Sequence, residues 1–214
     1  MVILSSAFPS YSLAERRVDG AIHAIGTFLA PTGGIWLVLS AVRTGTRAGL
    51  LVYCVGLVAM LSSSALYNLA ADGPKKEILR RVDHAAIFVM IAGTYTPFCL
   101  NRLDHGLGTF VLATIWLCAS VGALLTFVFP HRNETARVAL YLLMGWIVLI
   151  VIGPLSRAIS ETSLLLLLAG GAAYSVGAIF HLLDRVPFHN AIWHGFVLTA
   201  AALHFATMAV EFAR

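Results

Sequence analysis

Apolar residues along this chain fall into long blocks, each closed by a short cluster of polar or turn-forming residues. A helix rising 1.5 Å per residue needs about 20 residues to cross a hydrocarbon core about 30 Å thick. Seven segments have that length: 21–42, 48–70, 84–101, 107–129, 137–158, 163–183 and 191–212. None alternates with the period of two that a barrel strand requires, and the leucine run 164–168 is apolar all round, as a lipid-facing helix can be. The pattern predicts an all-α polytopic membrane protein, a seven-transmembrane helix bundle. Residues 1–20 read as a cytoplasmic N-terminal segment and 21–214 as a single seven-helix transmembrane domain. Within the first, residues 11–18 fit either a short surface helix with Leu13 and Val18 on the bilayer or an unstructured basic tail.

Composition agrees. The chain is 59% hydrophobic and 11% charged, against about 25% charged in soluble domains, too little polar surface to cover a water-soluble fold. Residues 1–4 are too short for a signal-peptide core and are followed by Pro9, so the N-terminus is expected to stay attached. Loops on the N-terminal side carry nine Lys or Arg (Arg16, Arg17, Lys75, Lys76, Arg80, Arg81, Arg132, Arg137, Arg185) and the other side five (Arg43, Arg47, Arg102, Arg157, Arg214). The positive-inside rule then places the N-terminus in the cytoplasm and the C-terminus outside. Cys54, Cys99 and Cys118 form no metal or disulfide pattern. The net charge of +4 is scattered, which gives no support to nucleic-acid binding. Lysine occurs only at Lys75 and Lys76, in a loop, so a retinal Schiff base is excluded. Pro31, Pro97 and Pro154 lie inside spans, and Thr94 and Thr96 are placed to satisfy carbonyls near Pro97.

Three span ends meet at the cytoplasmic face: Ser64 and Asn68 share a face of span two, Asn190 and His194 share a face of span seven, and Asp83 begins span three. Intramembrane polar clusters of this kind are functional candidates. Each member also has a structural alternative: Asp83 as a helix N-cap, the asparagines as interhelical hydrogen-bond pairs, His194 as a bundle histidine. His23 and His84 border this region. His204 lies ten residues beyond His194, about 15 Å along the helix and too deep to share a metal with it. His181 reads as a bundle or interface histidine, and His105 and His131 as loop residues.

The segments 64–68 (SALYN), 82–98 (VDHAAIFVMIAGTYTPF) and 189–205 (HNAIWHGFVLTAAALHF) resemble the hemolysin III family, the bacterial branch of the progestin and adipoQ receptors, itself similar to alkaline ceramidases. The resemblance spans nearly the whole chain and implies seven spans with the N-terminus inside. It implies a zinc held by one histidine at the end of span two and two at the start of span seven, with the span-two serine and span-three aspartate beside it. On this sequence the serine is Ser64, the aspartate Asp83 and the last histidine His194, while the other two histidine positions fall on Asn68 and Asn190. Amide oxygens suit hard cations better than zinc, so a degenerate metal site is expected, with His194 the residual ligand. His189, next to Asn190, is rotated away from His194 on a regular helix and would serve only if the first turn unwound.

The expected function is a metal-free one, and hydrolysis is the alternative. Without the metal, Asp83 and His194 would form a charged pair in a lipid-linked sensor or regulator of membrane homeostasis. With zinc, the resemblance implies a ceramidase-like lipid amide hydrolase, with Asp83 orienting or deprotonating water and Ser64 donating a hydrogen bond to the developing oxyanion. Membrane lipids are the expected partners, as ligand or substrate. A transporter and a cytolysin are minor alternatives: charged residues lie at span ends rather than mid-membrane, and the leader expected of a secreted lysin is not read here.

Overall fold

The computed structural model describes residues 11–41, 44–129 and 134–213. The readings of residues 1–4, Pro9, Arg43, His131, Arg132 and Arg214 lie outside the described residues. Among the described residues eight α-helices run in order: α1 Leu13–Ser40, α2 Thr44–Leu69, α3 Pro74–Asn101, α4 His105–Val128, α5 Glu134–Trp146, α6 Ile152–Ala158, α7 Glu161–Leu182 and α8 His189–Phe212. A 3₁₀ stretch, Ile147–Val151, joins α5 to α6, so these form one interrupted rod and the bundle has seven rods. Six of them are long and apolar enough to cross a membrane by length and composition. The seventh, α3, is more polar because it packs between α2 and α4 and buries Asp83, Thr94 and Thr96 among its inward residues. Among the described residues no sheet forms beyond an isolated bridge from Ala41 to Ala213.

Local sequence explains the ends. Ser12 and Glu15 form a capping box at the start of α1: the Glu15 amide donates to Ser12 Oγ at 3.3 Å and the Ser12 amide to Glu15 Oε2 at 2.8 Å. Asp104 caps α4, Ser160 caps α7, and Pro74 occupies the first turn of α3. Most rods start a few residues before the apolar blocks do, because a helix continues through the polar boundary where hydropathy no longer marks it. Two readings change in consequence. Residues 13–18 are the first turns of α1 rather than a separate surface helix. Asp83 lies well inside α3, whose N-cap is Gly73, so it is not a helix cap.

The rods close into a ring, with α1 against α2 and α8, α3 between α2 and α4, and α5 reaching α3, α4 and α7. Gly56 on α2 faces the backbone of Met90 on α3, and Gly93 on α3 faces that of Val52 and Tyr53, so the two backbones approach closely. The outer surface stays apolar: Phe28, Leu39, Phe110 and Ile150 are all exposed, which is stable only against lipid. Pro97 leaves α3 helical, and the neighbouring threonines bond one turn back, Thr94 to Met90 O and Thr96 to Ala92 O. Pro154 is different, since the rod is interrupted just before it. Tyr95 of α3 fills the interruption: its hydroxyl lies 3.0 and 2.8 Å from the Met144 and Gly145 carbonyls and accepts from the Val148 amide at 2.8 Å. Inside the ring is a cavity of about 760 Å³.

Candidate metal centre

Four helices deliver polar side chains to one end of that cavity. Asp19 and His23 are four residues apart on α1 and share its inner face, and both are buried. From α8 comes His194, whose Nδ1 lies 2.5 Å from Asp19 Oδ1, and whose ring sits 4.4 Å from that of His23, centroid to centroid. His23 Nε2 lies 3.4 Å from Asp19 Oδ2 and has no hydrogen-bond partner. One ligand atom from each of Asp19, His23 and His194 lies within 4.8 Å of the other two. Among the described residues this is the one such group of three.

The asparagines stand around this group. Asn190 Nδ2 reaches Asp19 Oδ2 at 3.4 Å and Asn68 Oδ1 at 3.3 Å, and Asn68 Nδ2 donates to the Ser64 carbonyl at 3.0 Å. Ser64 Oγ is 3.5 Å from His194 Nε2. Asp83 is buried beside them, interacting with Ser64 and within the electrostatic reach of His23. The sequence-predicted residues Ser64, Asn68, Asp83, Asn190 and His194 therefore do converge, as the span-end argument required.

The expectation of a degenerate site is overturned. His23 and His194 are both in place and, with Asp19, form a candidate three-residue ligand group, so Asn68 and Asn190 do not mark lost ligands: Asn190 hydrogen-bonds the carboxylate, and Asn68 bonds Asn190 behind it. The donors fit a first-row divalent cation such as zinc. Two imidazoles and one carboxylate are one of the common three-ligand sets of a catalytic zinc that keeps a fourth position open, and the buried His23 Nε2 has only its 3.4 Å ion-pair contact with Asp19.

The first turn of α8 aims His194. Phe188, at φ 60°, holds a left-handed backbone immediately before His189, and its amide donates to Glu15 Oε1 at 2.8 Å. Glu15 thus caps α1 and anchors the start of α8, which sets Asp19 and His194 against each other. α8 is regular from His189 onward, so His189 is not drawn into the ligand group; its ring packs on Tyr11 instead. At the mouth of the cavity, burial pushes the Tyr11 hydroxyl up to about 12, so it is a neutral hydrogen-bond donor at ordinary pH. Of the other histidines, His181 pairs with Glu134 at 2.8 Å, His204 bonds the Leu167 carbonyl at 3.1 Å, His84 packs edge-on against Tyr67, and His105, read as a loop residue, is the exposed first residue of α4.

An integral membrane helical bundle with a buried carboxylate and two histidines at the polar end of an apolar cavity is the class that fold and site define. Residues 11–205 match the profile of the family described as Haemolysin-III related. The chain is 36% identical over 198 residues to the Hemolysin-3 homolog of Bacillus subtilis (strain 168), covering 91% of this chain and 93% of that protein. It is 39% identical over 196 residues to Hemolysin-3 of Bacillus cereus, covering 89% of each. It is also 32% identical over 163 residues to the Monocyte to macrophage differentiation factor of Homo sapiens, covering 72% of this chain and 66% of that protein. The chain belongs to the hemolysin III family.

Proposed function

We propose that this protein is a metal-dependent hydrolase of acylated membrane lipids, with Asp19, His23 and His194 holding the cation. The observation that carries the reading is the position of that ligand group, next to Ser64 and Asp83, at the polar end of a cavity whose deeper wall is built from Met90, Phe98, Leu155 and Leu167. An acyl chain fits the apolar part and leaves its carbonyl at the cluster.

When bound, such a cation supplies Lewis-acid polarisation of a carbonyl and activation of water at neutral pH. The side chains do the rest. Asp83, buried among these groups, accepts a proton from the attacking water and returns it to the leaving nitrogen or oxygen. Ser64 donates its hydroxyl hydrogen to the oxygen on which negative charge develops. Asn190, itself held by Asn68, steadies the Asp19 carboxylate, and Asp19 in turn fixes the His194 ring. Overall, one C–N or C–O bond breaks, water adds across it, and a fatty acid and an amine or alcohol leave.

The cytoplasmic N-terminus and the bacterial inner membrane complete this reading, since the cluster then opens on the side where the loops carry most Lys and Arg. A second reading, a lipid-linked sensor or regulator of membrane homeostasis, is favoured by the 3₁₀ interruption held by Tyr95 on the cavity wall, an element whose conformation can report occupancy. One assay separates them. Purified protein reconstituted in lipid is supplied with N-acyl and O-acyl lipids, and released fatty acid is measured. Turnover lost in Asp83→Asn supports the hydrolase, whereas lipid binding with no turnover in the zinc-loaded natural protein refutes it and leaves the sensor.

A further inference from the structure

Deeper in the same cavity, away from the metal cluster, two polar side chains stand among mostly apolar ones. The Tyr174 hydroxyl on α7 is buried and has no hydrogen-bond partner. Against its ring stands His204 of α8, with centroids 5.6 Å apart. His204 Nε2 lies 3.1 Å from the Leu167 carbonyl. A carbonyl only accepts, so Nε2 carries the proton; buried with no carboxylate against it, the ring holds no second proton, and Nδ1 keeps a free lone pair. The ring can lie flat on α7 because residue 170 is glycine; any side chain there would collide with His204 Cδ2 and Nε2. Leu168, Val197 and Leu198 are among the apolar neighbours on the wall. A donor and an acceptor, side by side and both facing a greasy cavity, match the two hydrogen-bonding functions of one hydroxyl group.

We propose that Tyr174 and His204 form a second, mid-membrane polar subsite that receives a hydroxyl group carried in mid-chain by a lipid acyl group. The guest hydroxyl donates to His204 Nδ1 and accepts from Tyr174. This rests on the reading of the cavity as an acyl-chain site. Position follows from the helix: His204 is ten residues beyond His194, about 15 Å deeper at 1.5 Å per residue and so near the middle of a core about 30 Å thick. An extended hydrocarbon advances roughly 1.25 Å per bond for carbon–carbon lengths near 1.52 Å. The hydroxyl is therefore expected about 12 carbons from a carbonyl held at the cluster. Tyr53, whose hydroxyl is also buried without a partner but is not on the cavity wall, serves as the control.

The test is displacement of labelled octadecanoic acid from the full-length protein in detergent by unlabelled octadecanoic, 3-hydroxyoctadecanoic and 12-hydroxyoctadecanoic acids. Natural protein, Tyr174→Phe and Tyr53→Phe are compared, so that differences in detergent partitioning cancel. The 12-hydroxy acid is expected to gain about tenfold over octadecanoic acid in the natural protein and in Tyr53→Phe, and to lose that gain in Tyr174→Phe. The 3-hydroxy acid should not depend on Tyr174. An identical 12-hydroxy preference in the natural protein and Tyr174→Phe overturns the subsite, and equal affinities for all three acids assign the pair to an ordered water. If octadecanoic acid itself fails to bind, the acyl-chain reading falls and the subsite with it.

Discussion

Replacing Asp19 by asparagine keeps the shape of the side chain and one oxygen but removes its charge. In the structure that carboxylate meets His194 Nδ1 at 2.5 Å, His23 Nε2 at 3.4 Å and Asn190 Nδ2 at 3.4 Å, all in a buried setting. At an effective dielectric of about 20, a unit charge at about 4 Å contributes about 4 kcal/mol to holding each unit of opposite charge. Zinc carries two such units, about 8 kcal/mol gross before resolvation of the freed groups, and each 1.4 kcal/mol is about tenfold, so Asp19→Asn is expected to weaken zinc binding by at least about 1,000-fold. The assay is thermal unfolding of the purified protein across a buffered zinc series. Natural protein at 100 times its dissociation constant gains about 2.7 kcal/mol from the bound metal, which shows as a raised Tm, and the variant at the same zinc concentration gains almost none. The zinc-free Tm values should differ much less, since asparagine preserves the packing. An equal zinc-induced rise in both proteins would refute the reasoning, because the carboxylate would then play no part in holding the cation.

Other predictions concern the frame around the site. Glu211→Gln, which removes a partly buried carboxylate bonded to Arg102 at 3.1 Å and to the Ser160 amide at 2.8 Å, is expected to cost about 1–2 kcal/mol, read as a lowered Tm. Tyr95→Phe leaves the Val148 amide without its acceptor at the 3₁₀ interruption and should cost about 1–3 kcal/mol, with faster hydrogen exchange confined to residues 144–151. Gly170→Ala drives a methyl group into the His204 ring and should destabilise by about 1–3 kcal/mol; unchanged stability would mean the ring is free to move. Chelation of the metal followed by dialysis is expected to abolish lipid hydrolysis, and added zinc to restore it.

The spans were legible because lipid as solvent imposes one rule on every crossing, and the polar break between blocks is hard to miss. Their extensions were not, since helix beyond the apolar core carries charges that a hydropathy reading assigns to loops. Asp19 was overlooked for that reason: it falls before residue 21, in a stretch read as an N-terminal segment, although its spacing of four from His23 was a usable signal. Ser64, Asp83 and His194 were found because three span ends had to meet at one face. The resemblance to the family then recast Asn68 and Asn190, already in that cluster, as replaced ligands, and a ligand count restricted to spans two and seven could not include the pair on α1. Pro154 signalled a disturbed fifth rod, but its repair by Tyr95, 53 residues from Val148 in sequence, is a tertiary contact with no local trace. The cavity was unreadable because its apolar wall has the same composition as a packed core.

The most direct test of the central claim is zinc K-edge X-ray absorption of the purified protein after zinc reconstitution, together with metal stoichiometry by elemental analysis. The account predicts one zinc per chain with two imidazole nitrogens and oxygen completing its coordination, and loss of one imidazole in His23→Ala. A protein that retains no zinc, or a bound zinc whose imidazole count is unchanged in His23→Ala, would contradict it.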